Sequence, residues 1–284
     1  MMRRSLHNNN KSLNLRSLRR HRLDQEAFTL IELVVVMPII LLITGYMLSI
    51  MFDQFGQMVI DTAESNLRLE AQTMLLNLED ELLFATEYGD GLHSHVNDDH
   101  APPGGWTNSN GGNDVLIVYE TAINAGRRDP DRRFVRREVN SCTGGNAAFN
   151  PIAINNLLYF TEPNDDNEYN SLFKRTLTPT FSTCTQHKNT GNFCDPDAGD
   201  PLCPNNSKRT TCDVANVGTG SCVGVDGLLS EQVVDFDITY FDENNVITND
   251  PSRGEKVEML VTLGDRKYGK DIEITSRFIM KKIN

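Results

Sequence analysis

One acidic residue near the start of a long apolar segment constrains this chain more than any other feature. Residues 28–32 read Phe-Thr-Leu-Ile-Glu, and residues 33–52 form an apolar run without a charged side chain. A run of roughly twenty such residues is long enough to cross a bilayer as a helix. A carboxylate in hydrocarbon is costly unless it is paired or neutralised. Glu32 therefore predicts a functional contact with a group outside the run.

The residues before this run form a basic leader. Residues 1–27 contain seven Lys or Arg residues, against two acidic residues, Asp24 and Glu26. A general secretory signal has its small-residue cleavage site after the apolar core, whereas Ala27 lies directly before it. Cleavage after Ala27 would keep the apolar segment and make Phe28 the new N-terminus. Its amine would lie four residues from Glu32, at the positive end of a helix that also favours an anion.

The basic leader, the small residue and the sequence FTLIELVVV of residues 28–36 together resemble the N-terminus of type IV prepilins and of the pseudopilins of type II secretion. In that family a prepilin peptidase cuts before the Phe and methylates the new amine. The resemblance implies cleavage between Ala27 and Phe28, and a Glu32 that pairs with the Phe28 amine of a neighbouring subunit during filament assembly. The family strongly prefers Gly before the cut, so Ala27 is a departure that predicts slow processing.

The apolar run is predicted to continue into an amphipathic helix. Residues 28–52 would lie in the membrane or the filament core, where Pro38 predicts a kink or a locally melted turn. Residues 53–88 would pack an apolar stripe on a globular domain formed by residues 89–284. The helix is predicted to end at about residue 87. The predicted stripe consists of Phe55, Val59, Leu67, Ala71, Leu75, Leu78, Leu82 and Ala85.

The remainder of the chain predicts an antiparallel sheet. Segments rich in branched and aromatic residues indicate strands at residues 115–120, 134–139, 152–161, 171–177, 232–241, 255–263 and 272–280. Residues 264–270 are predicted to form a hairpin loop. A long helix on an antiparallel sheet is an α+β arrangement, and it agrees with the pilin fold that the N-terminus implies. The domain length and the sequences VVDFDITYFDENN and EKVEMLVTL are similar to minor pilins of the PilW type and to J-type pseudopilins.

All six cysteines lie in the part that is predicted to leave the cytoplasm, and five of them recur within residues 184–222. Their even number and an oxidising destination predict three disulfides, with fifteen possible pairings. The polar segment around them lacks a core, so each cross-link would contribute about 2 to 4 kcal/mol. A zinc site is the alternative, but the chain has no Cys-x-x-Cys sequence. The cysteines are Cys142, Cys184, Cys194, Cys203, Cys212 and Cys222.

Three clusters could bind metal ions, but each has a plainer interpretation. His93, His95, Asp98, Asp99 and His100 offer transition-metal ligands, yet they lie in a Gly- and Asn-rich segment that favours a solvated polar loop. Calcium stays open as a cofactor, although the spacing of the acidic residues is not that of an EF-hand loop. The expectation is that no metal or cofactor is bound. The calcium candidates are Asp195, Asp197 and Asp200, and separately Asp165, Asp166 and Glu168.

The domain that is predicted to be exported has one basic patch, whereas the rest of the chain is strongly acidic. The formal net charge of -12 becomes -17 when the leader is removed, which disfavours general affinity for nucleic acid or anionic lipid. The patch could contact DNA phosphates, but its two aspartates favour pairing with acidic neighbours or another subunit. It consists of Arg127, Arg128, Arg132, Arg133, Arg136 and Arg137, interrupted by Asp129 and Asp131.

The chain shows no catalytic motif, so an enzyme is not expected. The resemblance implies a minor pilin or pseudopilin, a structural and assembly subunit of a type IV pilus or a type II secretion pseudopilus. Its implied location is the bacterial inner membrane, with one span and a periplasmic C-terminal domain, and then the filament. Its implied partners are membrane lipid, prepilin peptidase, the inner-membrane assembly platform and other pilin subunits. The alternative is an anchored adhesion or DNA-uptake subunit that acts through the segment 184–222 or the arginine patch.

Overall fold

The computed structural model describes residues 30–82, 84–94, 96–107, 115–124, 129–130, 134–135, 152–164, 168–179 and 207–282. The chain divides into two compact units between Phe55 and Gly56. The described part of the first unit is helical, and the second unit combines helix with an antiparallel sheet. This confirms the predicted α+β class.

Helix α1, Leu30–Leu82, is the one helix in the described part of the chain that is long and apolar enough to cross a membrane. In the first unit its side chains are almost all exposed, including Leu30, Ile43 and Phe52. The helical backbone continues through Pro38, so the structure contains no melted turn there. A kink at Pro38 stays a prediction.

In the second unit, α1 buries an apolar stripe with helical spacing. The stripe consists of Ala63, Leu67, Ala71, Met74, Leu78 and Leu82, which recur every three or four residues and join the main core. The prediction was right for Leu67, Ala71, Leu78 and Leu82. It was wrong for Phe55 and Val59, which are exposed, and for Leu75, which is half-buried while Met74 is buried. Ile60, about one turn before Ala63, is half-buried and packs against the same core.

The helix ends at Leu82, not at about residue 87 as the periodicity predicts. Residues Ala85–Gly89 form strand β1, which pairs antiparallel with β2, Leu116–Thr121. Ala85 continues the helical spacing, so the local pattern does not reveal the change. Glu79 and Glu81 place negative charge at the negative end of the helix, which disfavours further helix, and pairing with β2 satisfies the backbone beyond it.

The other long strands agree with the prediction in position and differ in length. They are β3, Ile154–Pro163; β4, Asn170–Leu177; β5, Thr211–Cys212; β6, Gly224–Val225; β7, Gly227–Phe241; β8, Ile247–Thr248; β9, Lys256–Lys267; and β10, Lys270–Lys281. The short strands β5, β6 and β8 were not predicted. Of the predicted strand 134–139, Phe134 forms an isolated bridge with Ile123, and residues 136–139 lie outside the described residues.

The long strands form one curled antiparallel sheet with the order β1-β2-β3-β4-β7-β9-β10, and β8 pairs with β7. Strands β5 and β6 form a separate parallel pair. The edges of the main sheet differ. The edge strand β1 has five residues and a register shift between Ala85 and Glu87, whereas β10 pairs with β9 at twelve consecutive positions without a shift.

The predicted loop 264–270 is much shorter in the structure. Strands β9 and β10 continue through it to a two-residue turn, Tyr268-Gly269, whose φ angles are 53° and 74°. Positive φ at both positions is typical of a type I′ turn, which matches the twist of a hairpin. The polar residues of this segment favoured a loop in the prediction, but Gly264 and Asp265 face Glu273 and Ile272 in the ladder.

The first half of the sheet is covered on both faces. Leu116, Leu157 and Tyr159 join the stripe of α1 in the main core. Ile117, Leu158, Phe160 and Leu177 point to the other face, where Val96 and Trp106 of the segment 91–107 cover them. Covering on both faces explains the continuous apolar runs of β2 and β3. The second half, β7-β9-β10, has one solvated face, as the alternation over residues 256–263 predicts.

Candidate functional site

Glu32 lies in the first turn of α1, and its neighbours in the helix are exposed apolar side chains. Leu30 and Ile31 expose 81% and 76% of their surface, and the exposed apolar residues continue from Leu33 to Phe52. An anion at this position is favoured by the positive end of the helix. Ala27 and Phe28 lie outside the described residues. The geometry therefore combines an acidic first turn with an exposed apolar helical surface.

A second site is a buried ionic cluster around Arg175 in β4. The Arg175 Nη1 lies 2.9 Å from Asp98 Oδ2, and Nη2 lies 2.7 Å from Asp226 Oδ2. The side chains of all three residues are at most 5% exposed. The guanidinium also stacks over the rings of Trp106 and Phe160, at 5.2 and 5.4 Å from their centroids. Arg175 thus joins the sheet, the segment 91–107 and the segment after β6.

The partners of Arg175 are themselves fixed by further hydrogen bonds. Trp106 Nε1 donates to Asp98 Oδ2 at 2.6 Å, and the backbone N–H of His100 donates to Asp98 Oδ1. Burial alone would lower the pKa of the Arg175 guanidinium, but its hydrogen bonds and charge contacts with Asp226 and Asp98 raise that pKa above its ordinary value. The arginine is therefore held in its charged form inside the domain.

The segment around Asp98 is not the solvated polar loop that its composition predicts. Val96 and Trp106 are buried, and the Asp98 side chain is 3% exposed. His93 packs edge-on against the ring of Tyr119 at 5.5 Å. The prediction was wrong because composition does not reveal long-range pairing. Here the acid of a polar segment pairs with a buried arginine, and this allows the segment to cover an apolar face of the sheet.

One disulfide lies within the described residues. Cys212 and Cys222 are bonded, with their Cα atoms 5.9 Å apart, which confirms that this pair is a cross-link and not a zinc site. The backbone N–H of Asp226 donates to the carbonyl of Cys212, so the cross-linked segment holds the aspartate that meets Arg175. Cys142, Cys184, Cys194 and Cys203 lie outside the described residues.

The cross-linked segment also contacts the segment 91–107 directly. His100 Nε2 lies 3.0 Å from Thr219 Oγ1, and the N–H of Ser221 donates to Asp99 Oδ2 at 3.4 Å. Two members of the predicted histidine-acid cluster therefore bind the loop closed by the disulfide. His95 lies outside the described residues, and the described residues contain no group of three His, Cys, Asp or Glu that could hold a metal ion.

A third polar contact anchors the end of α1 to the sheet. Glu81 Oε1 lies 2.5 Å from Lys174 Nζ, and Tyr159 donates a hydrogen bond to Glu81 Oε2 at 3.2 Å. The last turn of the helix has no basic residue of its own. Lys174 of the sheet therefore supplies the positive charge that the C-terminal end of a helix favours.

This contact predicts a pH-dependent contribution to stability. Burial raises the pKa of Glu81, but the hydrogen bond and charge of Lys174, the charge of Lys208 and the hydrogen bond from Tyr159 lower it overall from its ordinary 4.5. A carboxyl with a lowered folded-state pKa stabilises the fold above its unfolded pKa and loses that contribution as pH falls through the folded value. Glu81→Gln should lower the free energy of unfolding by about 1 to 2 kcal/mol at pH 7.

The difference in the free energy of unfolding between the wild type and this variant should vanish as the pH falls below 4.5 and through the lowered pKa. Urea unfolding of the purified full-length protein at a series of pH values measures this difference. Glu79→Gln is the matched control, because Glu79 is an exposed acid on the same helical turn. An equal loss for Glu81→Gln at pH 7 and at pH 3 would contradict the assignment.

The remaining predicted site residues are placed only in part. Asp195, Asp197, Asp200, Asp165 and Asp166 lie outside the described residues, as do all six arginines of the basic patch. Glu168 is exposed and lies 4.0 Å from Arg266. The expectation that no calcium is bound and that DNA binding is disfavoured therefore stays a prediction.

The sequence alone does not predict the Arg175 cluster. Its members are separated by 77 and 51 residues, so no local spacing joins them. The available signal was an arginine within a predicted strand, 171–177, that also contains Leu172, Phe173 and Leu177. Comparison of the chain with protein-family models, with curated proteins and with solved structures finds no match.

Proposed function

We propose that the chain is a minor pilin or pseudopilin, a structural and assembly subunit of a type IV pilus or a type II secretion pseudopilus. The proposal is carried by the N-terminal pattern: a basic leader, Ala27 before Phe28, and Glu32 at the start of an apolar helix. It is supported by the exposed apolar surface of α1 and by the packing of its later turns on an antiparallel sheet.

In this function the apolar part of α1 anchors the chain in the inner membrane before assembly and packs among other helices in the filament. The domain then faces the periplasm, where oxidation would form its disulfides. Prepilin peptidase removes residues 1–27 and frees the Phe28 amine. Glu32 binds the amine of a neighbouring subunit, so cleavage controls when assembly begins.

The mature N-terminal mass tests the proposal. Full-length protein isolated from cells that contain a prepilin peptidase should begin at Phe28 with one added methyl group. Because the peptidase family prefers Gly before the cut, Ala27→Gly should raise the rate of conversion. Mass spectrometry of a pulse-chase series measures both quantities. A chain that retains residues 1–27, or begins at another residue, in both variants would overturn the proposal.

A further inference from the structure

The loop closed by the disulfide, residues 212–222, has no apolar core of its own. Its buried side chains are those of the two cysteines, which are 0% and 3% exposed, whereas Val214 and Val217 are exposed. The loop therefore buries too little apolar surface to offset the entropy cost of ordering its backbone. The cross-link reduces that cost, so the loop depends on the bond for a fixed shape.

The tip of this loop fits closely against the segment 91–107. Gly220 has a φ angle of 57°, and a Cβ added to it would lie 2.5 Å from Asp99 Oδ2. Both its backbone conformation and its surroundings therefore require glycine. On either side of Gly220, Thr219 forms a hydrogen bond with His100, and the N–H of Ser221 donates to Asp99. The loop thus touches the segment 91–107 through three consecutive residues.

The start of the loop also positions the cation that holds this segment. The N–H of Asp226 donates to the carbonyl of Cys212 at 2.9 Å. Asp226 Oδ2 in turn accepts from Nε and Nη2 of Arg175, at 2.9 and 2.7 Å. Two N–H donors on one oxygen fix the orientation of the guanidinium. Its Nη1 then donates to Asp98 Oδ2 and to the carbonyl of His100.

The segment 91–107 is held to the domain in two parts. Its first part bonds to β2 and β3, through the carbonyl of Gly91 and the N–H of His93. In its second part, residues 96–107, the described polar contacts with other segments go to Arg175 and to the loop closed by the disulfide. Opening of the loop would therefore weaken the second part and leave the first part in place.

We propose that the Cys212–Cys222 bond is a redox switch for the position of residues 96–107. When the bond is formed, Val96 and Trp106 cover the apolar outer face of β2, β3 and β4. When the two cysteines are reduced, the loop loses its shape and residues 96–107 leave this face. The inference goes beyond the proposed function and does not rest on it, because every contact lies in the second unit.

The switch closes by thiol–disulfide exchange. The two thiols give up two protons and two electrons to the disulfide of an oxidant, whose two sulfurs become thiols, and the bond between Cys212 and Cys222 forms. Both sulfurs are then buried. Because exchange requires access of a thiolate to the bond, the closed state protects the disulfide that produces it.

Hydrogen exchange of the oxidised full-length protein in detergent tests the switch. In Cys212→Ser/Cys222→Ser, amide exchange in residues 96–107 should become about tenfold faster, because the hydrogen bonds from the loop to this segment are weakened. Exchange in β9 and β10 should not change. The emission of Trp106, the only tryptophan, should move to longer wavelength. Unchanged exchange in residues 96–107 would overturn the proposal. An equal increase in β9 and β10 would also overturn it, because the bond would then stabilise the whole unit.

A matched pair of glycine variants tests the contact while the disulfide stays intact. Gly220→Ala forces Asp99 away from the loop and should also speed exchange in residues 96–107. Gly218→Ala is the control, because Gly218 has a φ angle of 87° and an added Cβ would meet no atom within 4 Å. Both variants carry the backbone cost of a positive φ angle, but only the first disturbs the contact. Equal exchange in the two variants would overturn the proposed route from the loop to the segment.

Discussion

Full-length protein that carries Glu32→Ala is expected to enter the membrane and to be cleaved normally, but not to enter filaments. In the proposed function Glu32 pairs with an amine in surroundings of low dielectric constant. Removing one partner of such a pair costs about 3 to 5 kcal/mol. Incorporation should therefore fall on the order of 10² to 10⁴ fold. Immunoblotting of sheared filaments against the membrane fraction measures this ratio.

The controls separate loss of the charge from a general effect on the helix. Glu32→Gln keeps the size of the side chain and should fail as Glu32→Ala does. Asp53→Ala removes another exposed acid of α1 and should leave incorporation near the wild-type level. Glu32→Ala protein in the sheared fraction at the wild-type level would remove the assembly role from this residue.

Replacing Arg175 with methionine is expected to destabilise the second unit strongly. The variant keeps much of the apolar volume but leaves Asp98 and Asp226 buried without their cation. Breaking a buried ion pair in this way costs about 3 to 5 kcal/mol. Trp106 is the only tryptophan and packs against Arg175, so its fluorescence in urea unfolding of the full-length protein in detergent reports the loss.

Matched variants test whether the buried carboxylates cause this effect. Arg277→Met removes an exposed arginine with one ion pair and should cost less than about 1 kcal/mol. Adding Asp98→Asn and Asp226→Asn to Arg175→Met should recover part of the stability, because the buried negative charges are removed. A loss below about 1 kcal/mol in Arg175→Met would show that the cluster contributes little to stability.

The parts of the fold with a strong local period were predictable. The stripe from Leu67 to Leu82 has helical spacing, and β9 alternates every second residue, so each pattern reports the face that is buried. Strand β1 was not predictable in this way. Ala85 fits the helical spacing as well as it fits a strand, and only pairing with β2 decides between them.

The polar contacts were predictable only as residue types. Asp98 was identified as a candidate ligand, but its actual partner is 77 residues away in the sequence. The sequence allows fifteen pairings of the six cysteines and does not select one of them. The structure identifies one pair. Long-range pairing of charges and thiols depends on the folded sheet, which brings distant segments together.

The direct passage from α1 into β1 determines how the domain would respond to mechanical tension. Two residues separate Leu82 from Ala85, so the short edge strand would be the next element loaded once the helix gave way. That strand has few ladder bonds and would peel from β2 under a modest force. The buried stripe and the contact of Glu81 with Lys174 come before it along the chain. Resistance to pulling therefore rests with the helix face, which must slide out of the core before β1 is loaded.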